Sequence, residues 1–142
     1  MAAVAALALF WPRECRADLH KAMAQPDLEK RSALALDNAL AALNAARKAY
    51  DAGEMDAVKA DAAEIQESVE LAAASLKQSG KDPRKHPTYF KRAEISTRDL
   101  SRRLDAFAAA MSYLDRPLLD QLRKRVTQIH DEILEELLEG KE

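Results

Sequence analysis

The sequence predicts an all-α protein in which four long helices pack as an up-and-down antiparallel bundle with left-handed, coiled-coil-like packing. Alanine makes up about a fifth of the 142 residues, whereas only 3 are Gly and 5 are Pro. Alanine is the best helix former, and glycine and proline are the worst. Apolar residues recur at alternating intervals of three and four, which is the spacing of a helix-packing seam. No segment shows the period-two alternation of a half-buried strand.

The first 17 residues predict an export signal that lacks its basic n-region. Residues 2–11 form an uncharged apolar run, too short to span a bilayer as a helix but suitable for the hydrophobic region of a signal peptide. Cys15 and Ala17 place small side chains at the positions required for cleavage after Ala17. Met1 leads directly into the apolar run, so the usual Lys or Arg is missing. The competing interpretation is a short helix that caps the bundle with its apolar face.

Cleavage after Ala17 would change the chemistry of the remaining chain. It would remove Cys15 and Trp11, the only cysteine and the only tryptophan, and a thiol-free chain suits an oxidising compartment. We therefore expect a periplasmic or secreted protein without a stable membrane span once the leader is gone, and a cytoplasmic location is the alternative. Residues 18–26 are predicted to be a polar lead-in, and residues 27–140 to form the bundle.

The first two helices are predicted over about 27–51 and 54–79. Asp27 is a preferred N-cap type, and Gly53 and Gly80 suit the helix ends because glycine adopts the left-handed conformation there. The turn between the helices is short enough to make them antiparallel neighbours. The predicted inward positions are Ala33, Leu36, Leu40, Leu43 and Tyr50, followed by Met55, Val58, Ala62, Ile65, Val69, Ala72 and Leu76. Between these seams, Glu64 and Glu67 are among the residues predicted to face water.

The last two helices are predicted over about 88–112 and 116–139. Pro87 and Pro117 suit first helical turns, and Asp115 is an acidic N-cap candidate. The predicted inward positions are Phe90, Ala93, Thr97, Leu100, Leu104, Phe107, Met111 and Leu114, followed by Leu119, Leu122, Val126, Ile129, Ile133 and Leu137. An elongated helical hairpin that completes its core by dimerising is the alternative architecture.

Composition and motifs exclude several classes of function. The net charge is −2 with both signs mixed, and aromatic residues make up only 5%, so neither a basic face nor a stacking platform for nucleic acid is expected. The Glu-x-x-His pairs of di-iron bundles are absent, because Pro83 and Thr127 precede His86 and His130 by three residues. No nucleotide-binding, hydrolase or metalloprotease motif occurs. We therefore predict no catalytic residues, metal or cofactor, and a boundary position with one hydrogen bond for His130.

One basic cluster is a candidate anion-binding site. It comprises the loop after the second helix and the start of the third: Lys81, Arg84, Lys85, His86, Lys91 and Arg92. Cations oppose the macrodipole at a helix N-terminus, and a bound phosphate, sulfate or acidic partner would relieve this arrangement. The competing interpretation is a solvated turn.

Five acidic residues crowd the last turns of the final helix, where they also have the unfavourable sign for the dipole. They are Asp131, Glu132, Glu135, Glu136 and Glu139. A frayed, soluble terminus is the simpler interpretation of this cluster. A head-to-tail contact with the basic loop of another copy is the alternative.

The layout of a leader followed by an Ala-rich helical bundle resembles uncharacterised small exported bacterial helical-bundle proteins in outline, and the resemblance implies no activity. The predicted function is that of a non-enzymatic exported bundle with a binding or scaffolding role, exercised through an unidentified protein partner or through self-association. A cytoplasmic helical adaptor or regulatory protein is one alternative. A small-ligand or anion-binding bundle that uses the basic loop 81–92 is another.

Overall fold

The computed structural model describes residues 14–139, with side chains described from Leu19 onwards. Within this range the chain is helical and contains no strand. The helices are α1 (Glu14–Ala24), α2 (Leu28–Asp51), α3 (Met55–Gln78), α4 (Pro87–Ala110) and α5 (Pro117–Glu139). The all-α prediction is confirmed, and α2 to α5 correspond to the four predicted helices. The apolar run 2–11 of the predicted leader lies outside the described residues.

A fifth helix, α1, precedes the bundle where a polar lead-in was expected. Ala22 is fully buried and Leu19, three residues earlier on the same face, is half-buried. The helix packs against α2 and also contacts α3. A seam of barely one heptad is too short to be recognised by its periodicity, which explains why α1 was missed. The bond between Ala17 and Asp18, the expected cleavage point, lies within α1.

The predicted signals at the ends of α2 and α3 are confirmed. Asp27 is the N-cap of α2, and its Oδ1 accepts hydrogen bonds of 3.1 Å from the backbone N–H groups of Glu29 and Lys30. Gly53 and Gly80 follow the C-terminal residues of α2 and α3 with φ of +74° and +66°. Such positive φ values favour glycine because it has no Cβ to clash with the backbone.

The helix α4 ends two residues earlier than predicted. Met111 has extended backbone angles, φ −74° and ψ 154°, so the helical periodicity stops there. The prediction that Leu114 faces inward is therefore wrong, since this side chain is 86% exposed. The proline prediction is confirmed, because Pro87 and Pro117 are the first residues of α4 and α5.

The four long helices alternate in direction as predicted, but the connection between α3 and α4 crosses the bundle diagonally. The helix α2 lies beside both α3 and α4, and α5 lies beside both α4 and α3. Asp37 and Arg92, each in the first half of its helix, are 3.5 Å apart. Tyr50, near the end of α2, bonds to the chain just after α4. The bundle thus consists of two antiparallel hairpins, with α2 parallel to α4.

The predicted seams form a single hydrophobic core. Buried side chains from all four long helices include Leu36, Leu43, Val58, Ile65, Val69, Leu76, Phe90, Leu100, Leu104, Phe107, Leu119, Leu122, Val126, Ile129 and Ile133. The helix α2 also buries six alanines, and these small side chains allow its extensive packing against α3. Of the helices in the described part, none is both long and apolar enough to cross a membrane.

Candidate functional site

The structure separates the six residues of the predicted anion site into two groups. Three contact other elements: Lys81 pairs with Glu29, Arg92 with Asp37, and Arg84 donates from Nη2 to the carbonyl oxygen of Leu138 at 3.3 Å. The hydrogen bond that the Lys81 ammonium donates to the Glu29 carboxylate raises the pKa of Lys81. The remaining three, Lys85, His86 and Lys91, are exposed, and within residues 14–139 no ion pair involves them.

These contacts give the basic loop a role within the bundle. The loop, the start of α2 and the end of α5 share one end of the molecule, because Lys81 reaches Glu29 and Arg84 reaches Leu138. The guanidinium of Arg84 thereby lies at the C-terminus of α5, where the macrodipole favours a cation. The basic loop and the end of α5 are therefore joined within one chain by Arg84, through a backbone carbonyl. The anion site stays a prediction, and these internal contacts are a competing explanation for the basic residues of the loop.

A buried polar cluster between α2 and α3 was not predicted. Asn38 is 2% exposed and its Nδ2 donates to Glu64 Oε1 at 3.0 Å and to Ser68 Oγ at 2.9 Å. The Ser68 hydroxyl in turn donates to the Glu64 carbonyl at 2.7 Å. Glu64 is only 7% exposed, so the expectation that it faces water is wrong. The side chain of Asn38 supplies the donor that allows this carboxylate to be buried.

The cluster continues along α3 in both directions. Asp61 lies one turn before Glu64 and is partly buried; burial, and secondarily the neighbouring Glu64 carboxylate, raise its pKa. In the other direction, Ser75 is buried on α3 and Ser32 on α2. Their hydroxyls, like Asn38 Oδ1, have no hydrogen-bond partner in the described part of the chain. The small alanines around these groups leave a closely packed interface, which suits a structural role better than ligand binding.

His130 makes two contacts with carboxylates. Its Nε2 lies 3.1 Å from Glu94 Oε1 on α4, and its Nδ1 lies 3.2 Å from Asp131 Oδ1. Arg98 lies 3.5 Å from the same oxygen of Glu94. The predicted boundary position of His130 is confirmed, but it has two partners rather than one. Among residues 14–139, no group of three or more His, Cys, Asp or Glu side chains is arranged to hold a metal ion.

The α4–α5 loop, residues 111–116, is the most distinctive surface feature. Ser112 donates its N–H to the Tyr50 hydroxyl at 2.9 Å, and that hydroxyl donates to Asp115 Oδ2 at 3.0 Å. The Ser112 hydroxyl donates to the same Asp115 oxygen at 2.8 Å. Arg116 donates from Nε to the Met111 carbonyl at 3.2 Å. The Asp115 carboxylate thus fastens the loop to α2 instead of capping α5 as predicted.

This hydrogen-bonded loop exposes two large side chains at its tip. Tyr113 is 80% exposed and Leu114 is 86% exposed. The polar groups of the loop bond inward, and the Tyr50 and Phe107 rings form a T-shaped pair with centroids 5.9 Å apart. A tyrosine and a leucine held outward by a fixed loop resemble the anchors of protein interfaces, which are enriched in aromatic side chains.

Comparison with family models, with curated proteins and with solved structures finds no match to this chain. The assignment of a candidate site therefore rests on the geometry of this chain alone. Among the described residues, the geometry offers a hydrogen-bonded loop with apolar side chains at one end of the bundle and a basic loop bonded to α2 and α5 at the other. Of these two loops, both within the described residues, only the α4–α5 loop exposes large apolar side chains.

Proposed function

We propose that this chain is a non-enzymatic binding or scaffolding protein that contacts its partner through the α4–α5 loop. The observation that carries the proposal is the exposure of Tyr113 and Leu114 on a loop fastened by Tyr50. Association normally requires flexible segments to be ordered, and that ordering lowers affinity. Here the loop is already ordered in the free chain, so burial of its two apolar side chains contributes more of its free energy to binding.

Site-specific photo-crosslinking in cells of the source organism tests this proposal. A photoreactive phenylalanine at position 113 keeps the aromatic ring, and the same residue at position 95 serves as control because Ile95 is also exposed, on the middle of α4. We expect a discrete crosslinked product from position 113 and none from position 95. If neither position yields a product, or if both yield the same set, the α4–α5 loop is not the contact surface.

We further propose that the protein acts in the periplasm or outside the cell, with a cytoplasmic adaptor as the alternative. The apolar run 2–11 and the small residues before Asp18 support export. Mass spectrometry of the chain recovered from fractionated cells distinguishes the two locations. Export predicts a chain that begins near Asp18 in the extracytoplasmic fraction. An intact N-terminus on a chain found only in the cytoplasm would contradict export and favour the cytoplasmic adaptor.

A further inference from the structure

A groove runs between α2 and α3 on the side away from α4 and α5, and α1 fills part of it. Among the described residues, α1 contacts α2 and α3 but neither α4 nor α5, so it lies on the outer side of the α2–α3 pair. Residues 25–27 join α1 to α2, a connection short enough to make these helices antiparallel neighbours. The first residue of α1, Glu14, therefore lies further along α2 than Ala24 does.

The helix α1 covers only about half of this groove. Its 11 residues measure about 16 Å at 1.5 Å per residue, whereas the 24 residues of α2 measure about 36 Å. About 20 Å of groove therefore remains between the start of α1 and the turn that joins α2 to α3.

Alanines line the part of the groove beyond α1. The bond between Asn38 and Glu64 shows which faces of the two helices meet. Four alanines continue these faces towards the turn, three or seven residues after Asn38 and four or seven residues before Glu64. They are Ala41 and Ala45 on α2 and Ala57 and Ala60 on α3. Ala41 and Ala60 are exposed, and Ala45 and Ala57 are only partly buried.

The charged side chains around these four alanines favour no charged occupant. Those within one helical turn are Asp37, Arg47, Lys48, Glu54, Asp56, Lys59, Asp61 and Glu64. Asp37 pairs with Arg92, and Glu64 accepts the bond from Asn38, which leaves three cations and three anions. A strip of alanines among balanced charges suits an uncharged apolar segment, whose burial needs no opposite charge.

We propose that, in the chain that keeps its N-terminus, residues 2–11 continue the packing of α1 along this groove and cover the four alanines. These ten residues are uncharged and comprise only Ala, Val, Leu, Phe and Trp. They span about 15 Å as a helix and at most about 33–36 Å when extended, so they are long enough to cover most or all of the open groove. The contact is continuous with the one that α1 already makes with α2 and α3.

This inference goes beyond the proposed function, because the α2–α3 groove and the α4–α5 loop are separate surfaces. Cleavage after Ala17 would remove residues 2–11 together with Glu14–Ala17, the first turn of α1. The four alanines would then be uncovered in the exported chain and covered in the uncleaved one. The α4–α5 loop belongs to both forms.

Tryptophan fluorescence of the full chain tests the proposal, because Trp11 is the only tryptophan. Mass spectrometry first confirms that residues 1–17 are intact. We expect the native chain to emit at a shorter wavelength than the urea-unfolded chain, and acrylamide to quench the native emission several-fold less. Dilution should change neither result, because the contact lies within one chain. Native emission like that of the unfolded chain, or a shift that disappears on dilution, would overturn the proposal.

Substitutions in the groove test where Trp11 is buried. Ala41→Glu and Ala60→Glu each place a carboxylate against the apolar run, so both should move emission and quenching towards the unfolded values. Ala41→Ser keeps a small uncharged side chain and should leave both unchanged. Far-ultraviolet circular dichroism should show unchanged helix content in these variants, because both positions are exposed.

A control variant carries the same charge away from the groove. Ala106 is an exposed alanine of α4, a helix that α1 does not contact within the described residues. Ala106→Glu should therefore leave the emission of Trp11 as it is in the unmodified chain. An emission that neither groove variant alters, or that Ala106→Glu alters as much as they do, would place residues 2–11 elsewhere and overturn the proposal.

Discussion

Replacing Asn38 by alanine is expected to destabilise the protein by about 2–4 kcal/mol. Asn38 and Glu64 are 2% and 7% exposed, so water cannot replace the hydrogen bonds that the substitution removes. A bond to a charged group contributes about 1.5–3 kcal/mol, and a neutral bond about 0.5–1.5 kcal/mol. The Asn38 amide makes one bond of each kind, to Glu64 and to Ser68. A loss of this size is a large part of the 5–15 kcal/mol typical of a domain.

A double-mutant cycle isolates the interaction between the two side chains. Glu64→Ala removes the buried carboxylate itself, so that Asn38→Ala should cost less in that background than in the unmodified chain. We expect the two substitutions to be non-additive by about 1–2 kcal/mol, within the range found for contacting residues. Urea unfolding followed by circular dichroism at pH 7 measures each free energy of unfolding, provided that the m-value is unchanged.

An exposed asparagine on the same helix provides the control. Asn44 faces solvent on α2, so Asn44→Ala should change the free energy of unfolding by no more than about 0.5 kcal/mol. The reasoning fails if Asn38→Ala costs as little as Asn44→Ala. It also fails if the effects of Asn38→Ala and Glu64→Ala simply add, since the amide would then not be supporting the carboxylate.

Three further substitutions probe the remaining polar contacts. Asp61→Asn should stabilise the protein at pH 7 by a fraction of a kcal/mol, because burial and Glu64 raise the Asp61 pKa. Ionisation of Asp61 costs stability as the pH rises through that pKa, so urea unfolding should show no gain in stability from the substitution near pH 3. Arg125→Met should cost about 0.2–1 kcal/mol in urea unfolding at pH 7, because Arg125 Nη2 donates to the partly exposed Glu70 carboxylate at 2.8 Å. Arg125 lowers the Glu70 pKa, so that cost should shrink as pH falls through the lowered value. Tyr50→Phe should cost about 1–2 kcal/mol in thermal unfolding, because the α4–α5 loop loses both bonds to the hydroxyl. Each of these assignments has a result that would contradict it. For Arg125→Met it is an equal cost at pH 7 and pH 3, and for Asp61→Asn it is a gain in stability that persists at pH 3. For Tyr50→Phe it is an unchanged melting temperature.

The sequence predicted the helices well because local chemistry determines most of their bounds. Asp27 caps α2 through its own carboxylate, and Gly53 and Gly80 take the left-handed conformation that ends a helix. The polar cluster was missed because it lies on a second stripe of α3, beside the apolar seam. Asp61, Glu64, Ser68 and Ser75 repeat at intervals of three, four and seven, a spacing that could have marked this stripe as half-buried.

The α4–α5 loop could not be predicted from the sequence for a different reason. The apolar spacing of α4 continues through Leu114, and only the extended backbone of Met111 shows that the helix has already ended. The Tyr50 hydroxyl joins residues more than sixty positions apart, so no local pattern reveals the contact. The diagonal α3–α4 connection is likewise decided by tertiary packing, since the eight residues between Gln78 and Pro87 permit either placement of α4.

Backbone ¹⁵N relaxation of the isolated protein tests most directly whether the loop is fastened as described. If the Tyr50 hydroxyl and the Asp115 carboxylate hold the loop, the amides of Tyr113 and Leu114 should have order parameters near 0.85, like those of the helices. Values below about 0.6 at these two amides, with the helices unchanged, would contradict a preformed contact surface.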